Sequence, residues 1–283
     1  MRSTWSLEVT LLPGSSDLLG LHAAELPQRD DLCGAFCGAL ALRAAGIATH
    51  AGDVVDQDLV ALAAGSVVAG VRDPGTLPFG ETGRRDYRLA LPAVEDPAVS
   101  GTTAGGVVEA IAILSDGQLE PIPLSGPWSV QALDGLFELA AALPGPATLV
   151  ANLATRHLWG ARASIAELLA YLLEGEGEGP PPDWDVGHFA CVIGRVRGPR
   201  GSLYALADTY PALGAGGVHM QPPDRLAEAI ERRDMPAGGV IAVVLAEDAQ
   251  TLRAGAAELG LQEAIWDNGT VTIGSRPTPE TAA

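Results

Sequence analysis

The sequence contains no lysine, so its 17 basic residues are all arginines, set against 35 acidic residues for a formal net charge of −18. A chain this anionic repels phosphate backbones and acidic lipid, which excludes nucleic acid and membrane surfaces as expected partners. Aromatic residues are scarce at 5%, while hydrophobic residues make up 47%. Alanine, valine and leucine must therefore fill most of a core of ordinary size. The three cysteines form an odd set with no paired spacing, which excludes a disulfide framework. No stretch reaches the roughly 18 apolar residues needed to span a bilayer. Residues 1–8 lack a basic start followed by an apolar run, so a reducing cytoplasm is the expected address. Such a compartment keeps a thiol usable.

Other chemistries are missing too. No Gly-x-Ser-x-Gly elbow for serine hydrolysis is present. The Gly-Gly pairs at 105–106, 216–217 and 238–239 lack the strand and helix flanks of a phosphate loop, so no cofactor is expected. Cys33, Cys37, Cys191 and His188 match no standard zinc-ligand spacing, so no metal is expected either.

What is present reads as helices first and strands later, an α+β pattern rather than alternating βαβ units. An edge strand is expected over 7–12. Asp31 is the candidate cap of a helix from Cys33 to Ala45 stopped by Gly46, with Leu32, Phe36, Leu40 and Ala44 as its apolar stripe. Further helices are expected over 56–68, from about 100 to 114, over 129–143 and over 164–173, the last opened by the capping box Ser164-Ile-Ala-Glu167. Residues 73–97 read as irregular. Strands are expected at 147–153, 188–196, 202–207 and 239–245, and helices at 224–233 and 248–259. The acidic, glycine- and proline-rich run 174–183 reads as a mobile loop placed to act as a lid or as a tolerated insertion, and the tail from 275 as disordered. A single domain over 1–274 is expected, with a helical part at 28–145 and a sheet part at 146–274.

The chemistry-bearing residues are Gln28, Cys33, His188 and Asp208. A cysteine in the first turn of a helix meets the positive end of the helix dipole, which favours the nucleophilic thiolate. Gly34 leaves room beside it, whereas Asp30 and Asp31 oppose the thiolate unless they point away. Cys37 lies one turn deeper and is the rival thiol. Taken alone, a free cysteine is often just a small buried hydrophobe. The hairpin supplies the second argument. If the turn is 197–201, pairing Val196 with Ser202 sets Ala190 opposite Asp208, and His188 then lies diagonal to Asp208 on one face, roughly 7–8 Å apart by backbone. A one-residue slip would send the two to opposite faces. By this reading His22, His50, His157 and His219 have no such carboxylate.

At these residues the chain resembles the papain-like cysteine peptidases, in particular the bacterial branch of double-glycine leader peptidases and their stand-alone relatives. That pattern runs glutamine, Cys-Gly opening an apolar helix, Gly-His-hydrophobic on a strand, then an aspartate after the next strand. Here it reads Gln28, Cys33-Gly34, Gly187-His188-Phe189 and Asp208. The resemblance implies a nucleophile helix packed on a C-terminal antiparallel sheet, with Cys33 as nucleophile, His188 as general base, Asp208 as orienter and Gln28 with the Cys33 amide as oxyanion donors. Ala35 stands where the family often has proline, and Asp208 is followed by Thr-Tyr-Pro. The expected activity is peptide or amide hydrolysis through a thioacyl-enzyme. An inactive binding or scaffold protein, or an acyltransferase or transpeptidase using the same residues, are the alternatives. Oligomeric state is not legible.

Overall fold

A computed structural model describes residues 6–71, 73–182 and 184–271. Its helices are α1 (Ser15–Glu25), α2 (Cys33–Ala44), α3 (Gln57–Ala64), α4 (Ala104–Leu114), α5 (Val130–Ala141), α6 (Ile165–Glu174), α7 (Pro223–Glu231) and α8 (Ala249–Glu258). The strands are β1 (Glu8–Leu11), β2 (Thr49–His50), β3 (Asp53–Val54), β4 (Val68–Ala69), β5 (Ala93–Val94), β6 (Leu119–Ser125), β7 (Ala147–Ala154), β8 (Gly187–Arg197), β9 (Ser202–Ala207), β10 (Val218–Gln221), β11 (Gly239–Leu245) and β12 (Gln262–Glu263). The main sheet runs β10-β9-β8-β7-β11-β6-β12, with every neighbouring pair antiparallel. Strand β1 pairs with the far half of β8, from Gly194 to Arg197, while β7 pairs with the half from Gly187 to Val192. The architecture is α+β around a large antiparallel sheet.

Both faces of this sheet are covered, so β7 is buried along its whole length and reads as an unbroken apolar run. Successive side chains go to opposite faces. Leu149, Ala151 and Leu153 join one core with α5, α7 and α8. Val150 joins the other with α2, α3 and α4. Phe189, Cys191 and Ile193 of β8 fall on that second face, which seats α2 across the sheet. Alanine-rich helices fit closely here. A methyl built at Gly34 would come within 3.1 Å of Thr102 and Val107 and 3.2 Å of Phe189. Gly34 therefore serves close packing of α2, not open space beside Cys33 as the sequence suggested.

Several expectations change in detail. The helix over 56–68 ends at Gly65, and Val68 lies in β4, paired in parallel with β5 inside the stretch read as irregular. Asp56 does cap α3, accepting from the Leu59 N–H at 2.9 Å. Asp31 does not cap α2. It sits in the left-handed region at φ 69°, and its carboxylate accepts from the Ala69 N–H at 2.8 Å. Strand β6 was not expected because Pro121 and Pro123 interrupt its sequence. Its outer edge is covered by β12 only at Leu124 and Ser125, so the prolines leave few ladder bonds to lose. With β1 and β6 in the main sheet, and α7 and α8 packed on it, the helical and sheet parts interleave instead of dividing near residue 145. The capping box of α6 forms as expected. The tail from 275 lies outside the described residues. Among those residues, no helix is long and apolar enough to cross a membrane.

Candidate active site

The hairpin of β8 and β9 builds the site, and it does so by an irregularity. At the turn, Arg197 pairs with Ser202 and Val196 with Leu203, one residue away from the expected register. A bulge between Val192 and Gly194 absorbs the extra residue, so that Cys191 faces Ala207 and the expected alignment is restored at the far end. His188 and Asp208 consequently meet. His188 Nε2 lies 2.8 Å from Asp208 Oδ1, and both residues are buried.

The remaining ring nitrogen, Nδ1, is not taken up by Asp208, and Cys33 lines the same cavity as the imidazole. Cys33 opens α2 with Leu32 as the N-cap and no side-chain cap, so the first-turn N–H groups stay available. Burial alone would lower the His188 pKa. The charge and hydrogen bond of Asp208, reinforced by Cys33, instead push it up to about 10. The imidazole is therefore protonated at neutral pH. Burial would likewise raise the Asp208 carboxyl, but His188 and His219 hold it well below the usual carboxylate range. Trp184 meets the His188 ring edge-on at 4.9 Å, and Tyr210 stacks nearly parallel to it at 6.5 Å. These rings shield the pair from water, which strengthens its electrostatics.

Asp208 has more partners than the sequence indicated. His219 Nε2 lies 3.0 Å from Oδ2, and His22 Nε2 lies 2.5 Å from the Asp208 carbonyl. The Thr209 N–H donates to Oδ1 at 2.6 Å. The protonation of His219 follows from Gln221. The Oε1 of Gln221 accepts from the Trp159 N–H at 2.7 Å, so its Nε2 is the donor that reaches His219 Nδ1 at 3.0 Å. His219 thus accepts from Gln221 at Nδ1 and donates from Nε2 to Asp208. Burial lowers the His22 pKa, against the pull of the Asp208 carbonyl and charge. The expectation that only His188 has a carboxylate partner is corrected on this point. His157 also has partners, Asp234 at 3.2 Å and Glu228 at 3.5 Å, on the surface. His219 alternates with Met220 on β10, directly beside the Asp208 end of β9, a pairing that only the long loop 209–217 sets.

Cys37 and Cys191 are fully buried, and burial, then the neighbouring Cys191, pushes the Cys37 thiol well up. Cys33 alone is partly exposed. Among the described residues, no three His, Cys, Asp or Glu side chains are grouped to hold a metal ion. The acidic pair beside Cys33 is engaged elsewhere. Asp30 Oδ1 accepts from the Arg84 N–H at 2.7 Å, and Asp31 is tied to Ala69.

Gln28, Cys33 and His188 line one cavity of about 410 Å³. The Gln28 backbone is fixed by its N–H to the Thr209 carbonyl at 2.9 Å, and its side-chain Oε1 is buried with no hydrogen-bond partner among the described residues. All four expected site residues therefore converge. No described residue of the expected lid lines the cavity: Trp184, Asp185 and Val186, which follow it, do so, while its glycine-rich part packs on Trp159.

The sequence matches a family of unknown function, DUF6885, over residues 12–267. The chain belongs to DUF6885. No curated protein matches it. The matched span of this DUF6885 member runs from the end of β1 past β12, and so contains every residue of the site.

Proposed function

We propose that this DUF6885 chain is a papain-like cysteine amide hydrolase, with Cys33 as nucleophile, His188 as general acid and base, Asp208 as the orienting carboxylate and Gln28 as an oxyanion donor. One observation carries the reading: a half-buried thiol at a helix start and the histidine of a buried His–Asp pair from a distant hairpin line one cavity. A helix bearing the nucleophile, seated on an antiparallel sheet that bears the base, is also what the resemblance implies.

The steps follow from the geometry. With His188 protonated, the Cys33 sulfur beside it attacks an amide carbonyl carbon, and the carbonyl electrons move onto oxygen. The Cys33 N–H and Gln28 Nε2 are the donors for that oxyanion. As the carbon–nitrogen bond breaks, His188 Nδ1 gives its proton to the departing amine, leaving a thioester on Cys33. Water then adds to the thioester, His188 takes its proton, and the carbon–sulfur bond breaks to release the acid. Asp208, locked by three hydrogen-bond donors from His188, His219 and Thr209 and by the His22 contact to its carbonyl, keeps the ring oriented throughout.

The first test is alkylation with iodoacetamide near neutral pH. Cys33 should be labelled well ahead of Cys37 and Cys191 in the folded protein, and His188→Ala should slow that labelling. Equal labelling of all three thiols refutes the assignment. Product analysis with added amines then separates hydrolysis from acyl transfer.

A further inference from the structure

Arg232 lines the same cavity as Cys33 and His188, is buried to 2% exposure, and has no carboxylate partner among the described residues. That is unusual in a chain with twice as many acidic as basic residues. The other buried or half-buried arginines are paired: Arg29 with Asp58, Arg43 with Glu25, Arg195 with Glu138. Burial without a counter-charge pulls the Arg232 guanidinium down. One of its nitrogens, Nη1, donates to Asn152 Oδ1. Its buried Nε has no acceptor among the described residues. Nη2 approaches Gly187 so closely that a methyl there would lie 2.8 Å from it.

The backbone adds to this. Arg232 closes α7 in the left-handed conformation at φ 48°, a place where glycine is the unstrained choice. A long charged side chain is held there against that preference, with its Nε–Nη2 edge next to the Gly187-His188 end of β8. An edge of two parallel N–H groups fits the two oxygens of a carboxylate. Asp30, Asp31, Asp73 and Asp185 also line the cavity, as does Arg85, whose Nη2 already donates to the Ala69 carbonyl. Of the two lining arginines, Arg232 is the buried one beside the Gly187-His188 end of β8.

We propose that Arg232 is the specificity-determining residue of this site, binding a carboxylate that the amide substrate carries close to the scissile bond. The proposal rests on the hydrolase reading and narrows its substrate to anionic amides. Two sources share this chemistry: the main-chain carboxylate at a peptide C-terminus, and an acidic side chain.

The test compares two alkylating agents of nearly equal size, anionic iodoacetate and neutral iodoacetamide. Tandem mass spectrometry of the tryptic peptide Asp30–Arg43 separates Cys33 from Cys37. In the wild-type chain, the ratio of iodoacetate to iodoacetamide rates at Cys33 should exceed that of free glutathione. Arg232→Met should lower this ratio roughly tenfold to a hundredfold, the loss expected for a charge-assisted hydrogen bond. Arg232→Lys, which keeps the charge but not the fork, should lower it less, and it serves if the Met variant does not fold. If both rates change by the same factor, Arg232 acts only on the sulfur's charge, and the proposal is overturned. An unchanged ratio overturns it as well.

Binding to the Cys33→Ser protein separates this proposal from the hydrolase reading. N-acetylglycine should bind more tightly than N-acetylglycinamide, and Arg232→Met should abolish the difference. A thiol inert to both reagents, together with that preference, leaves the anion site standing and the nucleophile refuted. No preference for the acid over the amide refutes the anion site. Replacing N-acetylglycine by the α-amide of N-acetylglutamate shows whether a side-chain carboxylate serves equally.

Discussion

Replacing Asp208 by asparagine tests the electrostatics of the site directly. The substitution keeps the shape of the side chain and removes its charge. His188 stands at about 10 instead of its ordinary 6.5, a rise worth roughly 5 kcal/mol of interaction between imidazolium and its surroundings. The asparagine amide offers one acceptor where Asp208 offered two. Its oxygen can face His188 and Thr209 or face His219, but not both, because Gln221 fixes His219 as a donor. Whichever way the amide turns, an N–H meets an N–H. The His188 ring proton signals in an NMR titration should therefore move from about 10 in the wild type to 6.5 or below in Asp208→Asn. Stability should respond with a definite sign. A group whose folded pKa is raised contributes fully below its unfolded value near 6.5, and that contribution disappears as pH climbs through 10. Urea unfolding should thus show the Asp208 form losing several kcal/mol across that window while the Asn form stays nearly flat. Repeating the series in a Cys33→Ala background removes the thiol's own titration from the same range, and His188 there should start below its wild-type value because Cys33 also raises it. A His188 that still titrates near 10 in Asp208→Asn, or a stability difference independent of pH, refutes the reasoning.

Other perturbations separate the parts of the network. His219→Phe leaves Asp208 Oδ2 buried without its donor, at a cost of about 1.5–3 kcal/mol in urea unfolding. His188 should still titrate well above 6.5 in that variant, and a collapse of its pKa to the Asp208→Asn value would show that His219 does more than hold the carboxylate. Gly187→Ala puts a methyl 2.8 Å from Arg232 Nη2, so it should reduce the iodoacetate preference at Cys33 while leaving iodoacetamide labelling within a few-fold of wild type. Phe137→Ala removes a fully buried ring that meets Tyr204 edge-on at 5.4 Å, and should cost about 3–5 kcal/mol with Cys33 reactivity retained in the folded fraction. Ser164→Ala breaks the capping box of α6, far from the cavity, and should cost roughly 1 kcal/mol in a melting experiment.

Much of this was legible in the chain because it is local. Helix α2 starts at Cys33 in both readings, since an apolar stripe and the glycine after it mark its length. Strand β7 is visible because burial on both faces demands an unbroken apolar run. The opposite case is β6, where the prolines that argue against a strand are tolerated only because its neighbour covers so little of one edge. Asp31 looked like a cap by its position before the helix, but the cap preference yielded to a long-range acceptor role on Ala69.

The hairpin shows where the boundary lies. Residue types and spacing alone determined that a thiol, an imidazole, a carboxylate and a glutamine are available, and that His188 and Asp208 share a face if their pairing is right. Tertiary structure decided that it is right: the turn sits one residue out of register and the bulge at Val192–Gly194 restores it. It also brought His22, His219 and Arg232 to the site from α1, β10 and the end of α7. No spacing rule encodes those meetings, because each depends on how a loop returns across the sheet, and side chains far apart in sequence acquire partners only when the packed core fixes the elements that carry them.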